Sequence, residues 1–499
     1  MMLRFNTVLL IVILSSIVIG CKTATNSKVL NTEKKPNFII VLVDDMGWGD
    51  VGYQGADDML TPNIDKLASE GTQFSQGYVT CSVCGPSRTS LLSGRYSDEI
   101  GIWGNFGKNA KDGFPADEKM ISDYVKQAGY TTGAIGKWHM GYAKDEFKPE
   151  NRNWDYFYGF YIGGHDYFNA AKSYDHKKAN EWPIQRNSDI VDYNKGDYLT
   201  DKFNEEAVDF IDKNSDKPFL LYVAYNAVHY PWSVPDNYLE RVDKERDIKL
   251  KYRRILAGMT LAIDDGVGAM MNKLKEKNID DNTVIIFLSD NGSPKGIAGH
   301  YKHNYGETAM SSTGGLKGFK GDTYEGGIRV PFIMKWPGKT TPGQVYDKPV
   351  ISIDILPTIA ENIGVSTKED HLSGVNLLPY IQGTKKERPH EVLYWTYQDD
   401  YAIRDGDWKL TWNDQELNEN MLTIKEHGEK VPGAPKSVET RLFNLAEDPY
   451  EKHNLKDKYP EIAKRLQEKY NTWGAAMPLN GKPLFKQPYT RTKKFTNKQ

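Results

Sequence analysis

The sequence predicts an α/β fold: a mostly parallel central sheet flanked by helices, followed by a smaller C-terminal α+β subdomain. Three observations predict it. Short apolar runs such as Asn37 to Val43 (NFIIVLV) and Thr283 to Ser289 (TVIIFLS) read as strands buried on both faces, as in a parallel sheet. Stretches with helix spacing alternate with these runs. Around residue 365 the character changes to short aromatic strands with Asp- and Gly-rich turns.

In chain order, residues 1–20 read as a signal peptide. Arg4 precedes an apolar run from Val8 to Ile19, too short for the roughly 20 residues that span a bilayer. Val18-Ile19-Gly20-Cys21 resembles a bacterial lipoprotein box, which implies lipid on Cys21 and an anchor in the cell envelope. A plain secretory signal with an incidental Cys is the alternative. Polar residues 21–35 read as the tether.

Residues 36–365 form the main domain. After the Asn37 strand, Thr61 to Glu70 has an apolar side of Ile64, Leu67 and Ala68 and reads as a helix. Met120 to Ala128 and Leu199 to Lys213 are further helices, and a long one covers much of Asp247 to Lys275. Tyr130 to Ile135, Pro218 to Tyr225, Thr283 to Ser289 and Val330 to Lys335 are strands. Residues 145–200, rich in Trp, Tyr, Asn, Asp and Gly, read as an elaborated loop region. In residues 366–499, Tyr394 to Tyr397, Tyr401 to Arg404 and Trp408 to Trp412 read as antiparallel strands, and Pro460 to Trp473 as a terminal helix. Arg491 to Gln499 is a solvated basic tail.

The residues just beyond the strands are chemically suggestive. The first strand ends in Asp44-Asp45, the Tyr130 strand in Lys137-Trp138-His139, the Pro218 strand in His229, and the Thr283 strand in Asp290-Asn291. Open α/β sheets bind ligands beyond the carboxyl ends of their strands. Each group alone suits a cap or a turn, but four strands delivering polar groups to one edge describe a site. Asp44, Asp45, Asp290 and Asn291 make an all-oxygen set, suited to calcium or magnesium rather than zinc.

Cys84-Gly85-Pro86-Ser87-Arg88 runs into Leu91-Leu92-Ser93-Gly94-Arg95 and reads as a loop entering a helix. Pro86 suits the first turn, and Gly94 the stop. Cys84 then stands just ahead of a helix N-terminus, where free N–H groups favour negative charge, with Arg88 one turn on. A buried structural Cys is the bland reading of the pentapeptide. Cys81-Ser82-Val83-Cys84 is also a CxxC, but no second CxxC completes a zinc site and no thioredoxin-like context surrounds it.

The Cys84 stretch resembles the signature of type I sulfatases, members of the alkaline phosphatase superfamily. Further segments match in order: Asp44-Asp45 with Gly47-x-Gly49-Asp50, Gly136-Lys137-Trp138-His139, Asp290-Asn291-Gly292, Lys320 ahead of Glu325-Gly326-Gly327-Ile328-Arg329, and Ala402 to Leu410. The resemblance covers most of residues 36–460. It implies that Cys84 is oxidised to formylglycine by a formylglycine-generating enzyme. Asp44, Asp45, Asp290, Asn291 and the modified Cys84 would bind one calcium ion, with magnesium as the lesser candidate. A hydroxyl of the hydrated aldehyde would attack sulfur. His229 and Lys320 would protonate or stabilise the departing oxygen, His139 would take a proton from the second hydroxyl, and Arg88 and Lys137 would hold sulfate oxygens. One departure is visible: Gly164 stands where some relatives carry Ser, and His165 is the candidate substitute.

Composition narrows the partners. With 64 Lys+Arg against 67 Asp+Glu the chain lacks the excess of positive charge a nucleic-acid binder needs. Aromatic residues make up 12%, which suits either a carbohydrate-facing surface or a large core. Trp103, His165, His300, His303 and Arg404 are candidate substrate-binding residues. The expected substrate is a sulfated polysaccharide or its oligosaccharides, such as ulvan, carrageenan or a glycosaminoglycan. The competing readings are a phosphatase or phosphodiesterase of the same superfamily, and a non-catalytic glycan-binding lipoprotein.

Overall fold

The computed structural model describes residues 34–106, 113–169, 183–192, 194, 196–294, 310–398, 400–414 and 438–477. The signal and tether with Cys21, both His300 and His303, and the basic tail lie outside them. From Lys35 on, the described residues form one compact unit.

A ten-stranded sheet runs through its centre. Five neighbouring strands are parallel, in the order Thr283–Ser289, Asn37–Val43, Phe219–Ala224, Thr131–Lys137 and Tyr156–Phe160. Every residue of the first three is buried, which is why they read as unbroken apolar runs. Phe332–Lys335 pairs antiparallel with the Thr283 strand, and Thr72–Phe74 and Gln344–Tyr346 continue that edge. Tyr156–Phe160 falls in the region expected to be loops. Its aromatic run is broken by Gly159, and it lacks the aliphatic residues that mark the inner strands.

The register brings the strand ends level. Val43 lies opposite Ser289, Leu42 opposite Ala224, and Ala224 opposite Gly136. Gly136 has φ +105, and a Cβ there would lie 2.0 Å from the Ala224 carbonyl oxygen. Glycine alone permits this approach, one residue before Lys137.

The helices form two packed groups. Lys251–Glu276 gathers Pro62–Glu70, Leu199–Asn214 and Asp236–Glu245, while Ile355–Asn362 contacts Cys84–Ser93 and Ile121–Gln127. Asp264 on the long helix accepts from the backbone N–H groups of Asn63 (2.9 Å) and Ile64 (2.8 Å), capping Pro62–Glu70 from a distance.

The C-terminal subdomain is a four-stranded antiparallel sheet of Val392–Tyr397, Asp400–Asp405, Trp408–Asp414 and Val438–Asn444. The sequence pattern predicts only the first three of these strands. Helix Pro460–Ala475 covers the sheet, with Leu466 and Tyr470 against Tyr401, Ile403, Leu410 and Leu442. The subdomain is tied to the main domain by buried polar contacts. Lys409 pairs with Glu325 and Glu451, each at 2.9 Å, and Trp395 donates its indole N–H to the Val79 carbonyl at 2.7 Å.

His390, on the segment leading into this sheet, sits 2.7 Å from Asp354, which also accepts from the Ile351 and Val375 N–H groups. Burial alone would lower the imidazole pKa, but the Asp354 carboxylate outweighs it and the folded value is raised. The pair therefore contributes fully below the unfolded pKa and is lost as pH rises through the folded one. We predict that His390→Gln destabilises the protein more at pH 6 than at pH 9 in urea denaturation; an equal loss at both would contradict the pairing.

Candidate active site

Cys84 is the first residue of the helix Cys84–Ser93, one position further in than the sequence predicts, with Val83 extended before it. Gly94 ends the helix in the left-handed region, as its place in the sequence predicts. Every residue of this helix is buried. Asn105 Oδ1 accepts from the Gly85 N–H at 2.8 Å, satisfying one free donor of the first turn. That role of Asn105 is not legible in the sequence, because the capping residue lies twenty positions after the donor.

The four strand ends converge on Cys84. One ligand atom each from Asp44, Asp45, Cys84 and Asp290 lie within 4.8 Å of one another. Cys84 Sγ is 3.4 Å from Asp44 Oδ1 and 3.2 Å from Lys320 Nζ. Asn291 donates its amide N–H to Asp45 Oδ1 (2.8 Å), and its own Oδ1 is buried without a hydrogen-bond partner among the described residues. A buried carbonyl oxygen left unpaired beside three carboxylates fits a hard cation, whose ligands are oxygens. The thiol is the odd member of that set.

Three cations answer the three carboxylates. Lys137 pairs with Asp44, Lys320 with Asp45, and Arg88 with Asp290 at 2.7 Å. Arg88 also donates to the Lys137 carbonyl at 2.9 Å, which locks the helix against the end of the Thr131 strand. The loop of Lys320 is held from both sides: its N–H donates to the Ser293 carbonyl (2.7 Å), and that of Gly321 to the Ser82 carbonyl (3.0 Å). With the six charges balanced, a bound divalent cation would leave a net positive site for an anionic ester.

Burial shapes the protonation states. Cys84 is pushed up to about 12, by burial first and then by Asp44, so the bare thiol stays protonated. Burial raises Asp45 as well, but Lys320 and His229 outweigh it and hold its carboxyl well below the usual range. His139 is lowered well below its ordinary value by burial, then by Lys137 and Arg88, and is a neutral imidazole. Its Nδ1 is buried without a partner among the described residues, and its backbone is left-handed (φ 56), as is that of Asp45 (φ 65). His229 is lowered to about 3 by burial and then by Lys320; its Nδ1 donates to the Tyr230 carbonyl at 2.6 Å, and Nε2 lies 3.9 Å from Asp45.

The structure thus brings together Asp44, Asp45, Cys84, Arg88, Lys137, His229, Asp290, Asn291 and Lys320, with His139 following Lys137 at the strand end. It does not do the same for the sugar candidates. Arg404 is a correction: it is 2% exposed, donates to the Tyr78 hydroxyl (2.7 Å) and the Gly406 carbonyl (2.9 Å), and serves the joint between the subdomains. His165 is fully buried, with Nδ1 on the Asp166 carbonyl (2.8 Å) and its ring against Phe160. Trp103 is half-buried. Cys81 and Cys84 are both free, and Cys81 Sγ lies 3.6 Å from the Thr396 carbonyl oxygen.

Comparison with known proteins agrees with this chemistry. Residues 36–365 match the family described as Sulfatase, and residues 319–430 match "N-sulphoglucosamine sulphohydrolase, C-terminal". The chain is 29% identical to the uncharacterized sulfatase YdeN of Escherichia coli (strain K12), over 88% of this chain and 85% of that protein. It is 30% identical to N-acetylgalactosamine-6-sulfatase of Mus musculus, over 87% and 85% respectively. The solved structure of Ps i-CgsB in complex with k-i-k-neocarrahexaose is 34% identical, covers 89% of this chain and 94% of its own, and has a TM-score of 0.75. The chain belongs to the sulfatase family and is a sulfuric ester hydrolase.

Proposed function

We propose that this enzyme removes sulfate from a sulfated algal galactan of the carrageenan class, or from its oligosaccharides, using one calcium ion and a formylglycine made from Cys84. The observation that carries the cofactor reading is the buried Cys84 side chain standing within 4.8 Å of ligand oxygens of Asp44, Asp45 and Asp290, with Asn291, which donates to Asp45, keeping a buried Oδ1 unpartnered among the described residues. The substrate reading is supported by the likeness to Ps i-CgsB, which was solved with a neocarrahexaose.

Asp44, Asp45, Asp290, Asn291 and the modified residue 84 would hold the cation. When present, the cation supplies charge to the ester's oxygens, and the oxidised residue 84 supplies the attacking oxygen. The rest falls to the chain's own side chains. Arg88 and Lys137 hold sulfate oxygens from the buried side. Lys320, an ammonium on the open side and 3.2 Å from Cys84 Sγ, gives a proton to the departing sugar oxygen. His229, whose Nδ1–H is spent on the Tyr230 carbonyl, would stabilise the same oxygen through Nε2 only in its protonated form. His139, neutral and buried, accepts the proton released at position 84 when sulfate leaves.

We further propose that the mature chain is anchored in the bacterial envelope through lipid on Cys21, on the strength of Val18 to Cys21 and the polar residues after it. Expressed in a bacterial host, wild type should sediment with membranes and Cys21→Ala should not; retention of the variant on membranes would refute the anchor.

Protein co-produced with a formylglycine-generating enzyme should release sulfate from carrageenan oligosaccharides, and 4-nitrophenyl sulfate should be cleaved in preference to 4-nitrophenyl phosphate. Mass spectrometry of the peptide spanning position 84 should show the aldehyde, and Cys84→Ala should be inactive; full turnover by protein with an intact thiol would overturn the reading. Calcium at about a hundred times its Kd should stabilise the matured protein by about 2.7 kcal/mol. Zinc giving a larger rise in Tm than calcium would contradict an oxygen-ligand site.

A further inference from the structure

The catalytic groups are not equally deep. The side chains of Asp44, Arg88, Lys137 and Asp290 are wholly buried, whereas those of His229 and Lys320 are 21% and 18% exposed. Among the described residues the site is therefore more open on the His229–Lys320 side.

On that side lies a piece of the C-terminal sheet. Tyr397 pairs with Asp400 across two antiparallel strands, and Gln398 stands in the turn at their tip. The Tyr397 ring comes within 3.7 Å of the place a Cβ on Gly321 would occupy, next to Lys320. The strand behind the turn is fastened to the segment before Cys84: Trp395 donates to the Val79 carbonyl (2.7 Å), and Cys81 Sγ meets the Thr396 carbonyl oxygen (3.6 Å). Tyr397 is half-buried and Gln398 is exposed. Gln398 holds a left-handed backbone (φ 55), which disfavours a residue with a side chain, and its Nε2 donates to the Tyr397 hydroxyl at 2.8 Å. A strained turn thus presents a phenol ring and an amide at the mouth, on a rigid support.

We infer that this hairpin tip is a wall of the sugar-binding cleft, and that Tyr397 and Gln398 determine which sulfated sugar is accepted. The inference rests on the reading of the protein as a glycan sulfatase. The ring offers a flat apolar surface to the C–H face of a pyranose, and the amide offers a donor and an acceptor to its hydroxyls. An aryl ester carries its reactivity in the leaving group and draws less on such contacts.

The test compares kcat/KM for two substrates in the same matured preparation: the sulfated oligosaccharide that wild type cleaves fastest, and 4-nitrophenyl sulfate. In Tyr397→Ala and Gln398→Gly the oligosaccharide-to-aryl ratio should fall, by about tenfold for the Tyr variant, the scale of one pocket contact. An equal loss on both substrates, or none, would overturn the inference, since a purely structural role lowers both alike. Should Tyr397→Ala fail to fold, Gln398→Gly decides alone, because the position is exposed and its backbone suits glycine. Wild type that cleaves aryl sulfate but none of the glycans would instead refute the glycan reading.

Discussion

The structure depends on one electrostatic constraint: three carboxylates buried at the ends of parallel strands must each find a cation. Asp44, Asp45 and Asp290 take Lys137, Lys320 and Arg88, and these partners come from a strand end, a long loop and a helix. Isolated buried carboxylates would be too costly to keep ionised. The pairing therefore fixes where the Cys84 helix, the Lys137 strand end and the Lys320 loop must stand. Catalytic geometry and charge compensation are one requirement here, because the groups that neutralise the acids are those suited to gripping an anion.

The sheet makes that requirement attainable. Parallel strands send every carboxyl end to the same edge, and the pairing of Val43 with Ser289 and of Gly136 with Ala224 sets those ends level. Since side chains on these strands are packed on both faces, a slip of register would disturb the whole core. Precision at the site is thus supported by apolar packing that takes no part in the chemistry.

Much of this is legible in the chain, for physical reasons that also explain the omissions. Asn37–Val43 and Thr283–Ser289 announce themselves because both faces are buried, and the polar residues just beyond them stand out by contrast. Tyr156–Phe160 and Val438–Asn444 escape notice because Gly159 interrupts one and charged residues alternate through the other. Arg404 misleads for a different reason. Its partner Tyr78 lies 326 residues away, and no local pattern distinguishes a guanidinium spent on a buried hydroxyl from one free to meet a sugar. A similar separation in sequence hides the place of Tyr397 beside Gly321. Local signals reveal elements and strand-end chemistry; contacts between the catalytic part and the C-terminal sheet emerge only with the fold.

The contacts of Val79 and Cys81 with Trp395 and Thr396 bear on the order of assembly. They span 316 and 315 residues, so the stretch leading to Cys84 gains its cover only after most of the chain has been synthesised. Long-range closures of this kind are late events in folding. Until the C-terminal strands arrive, the stretch leading into Cys84 therefore lacks the contacts that the folded chain gives it at Val79 and Cys81.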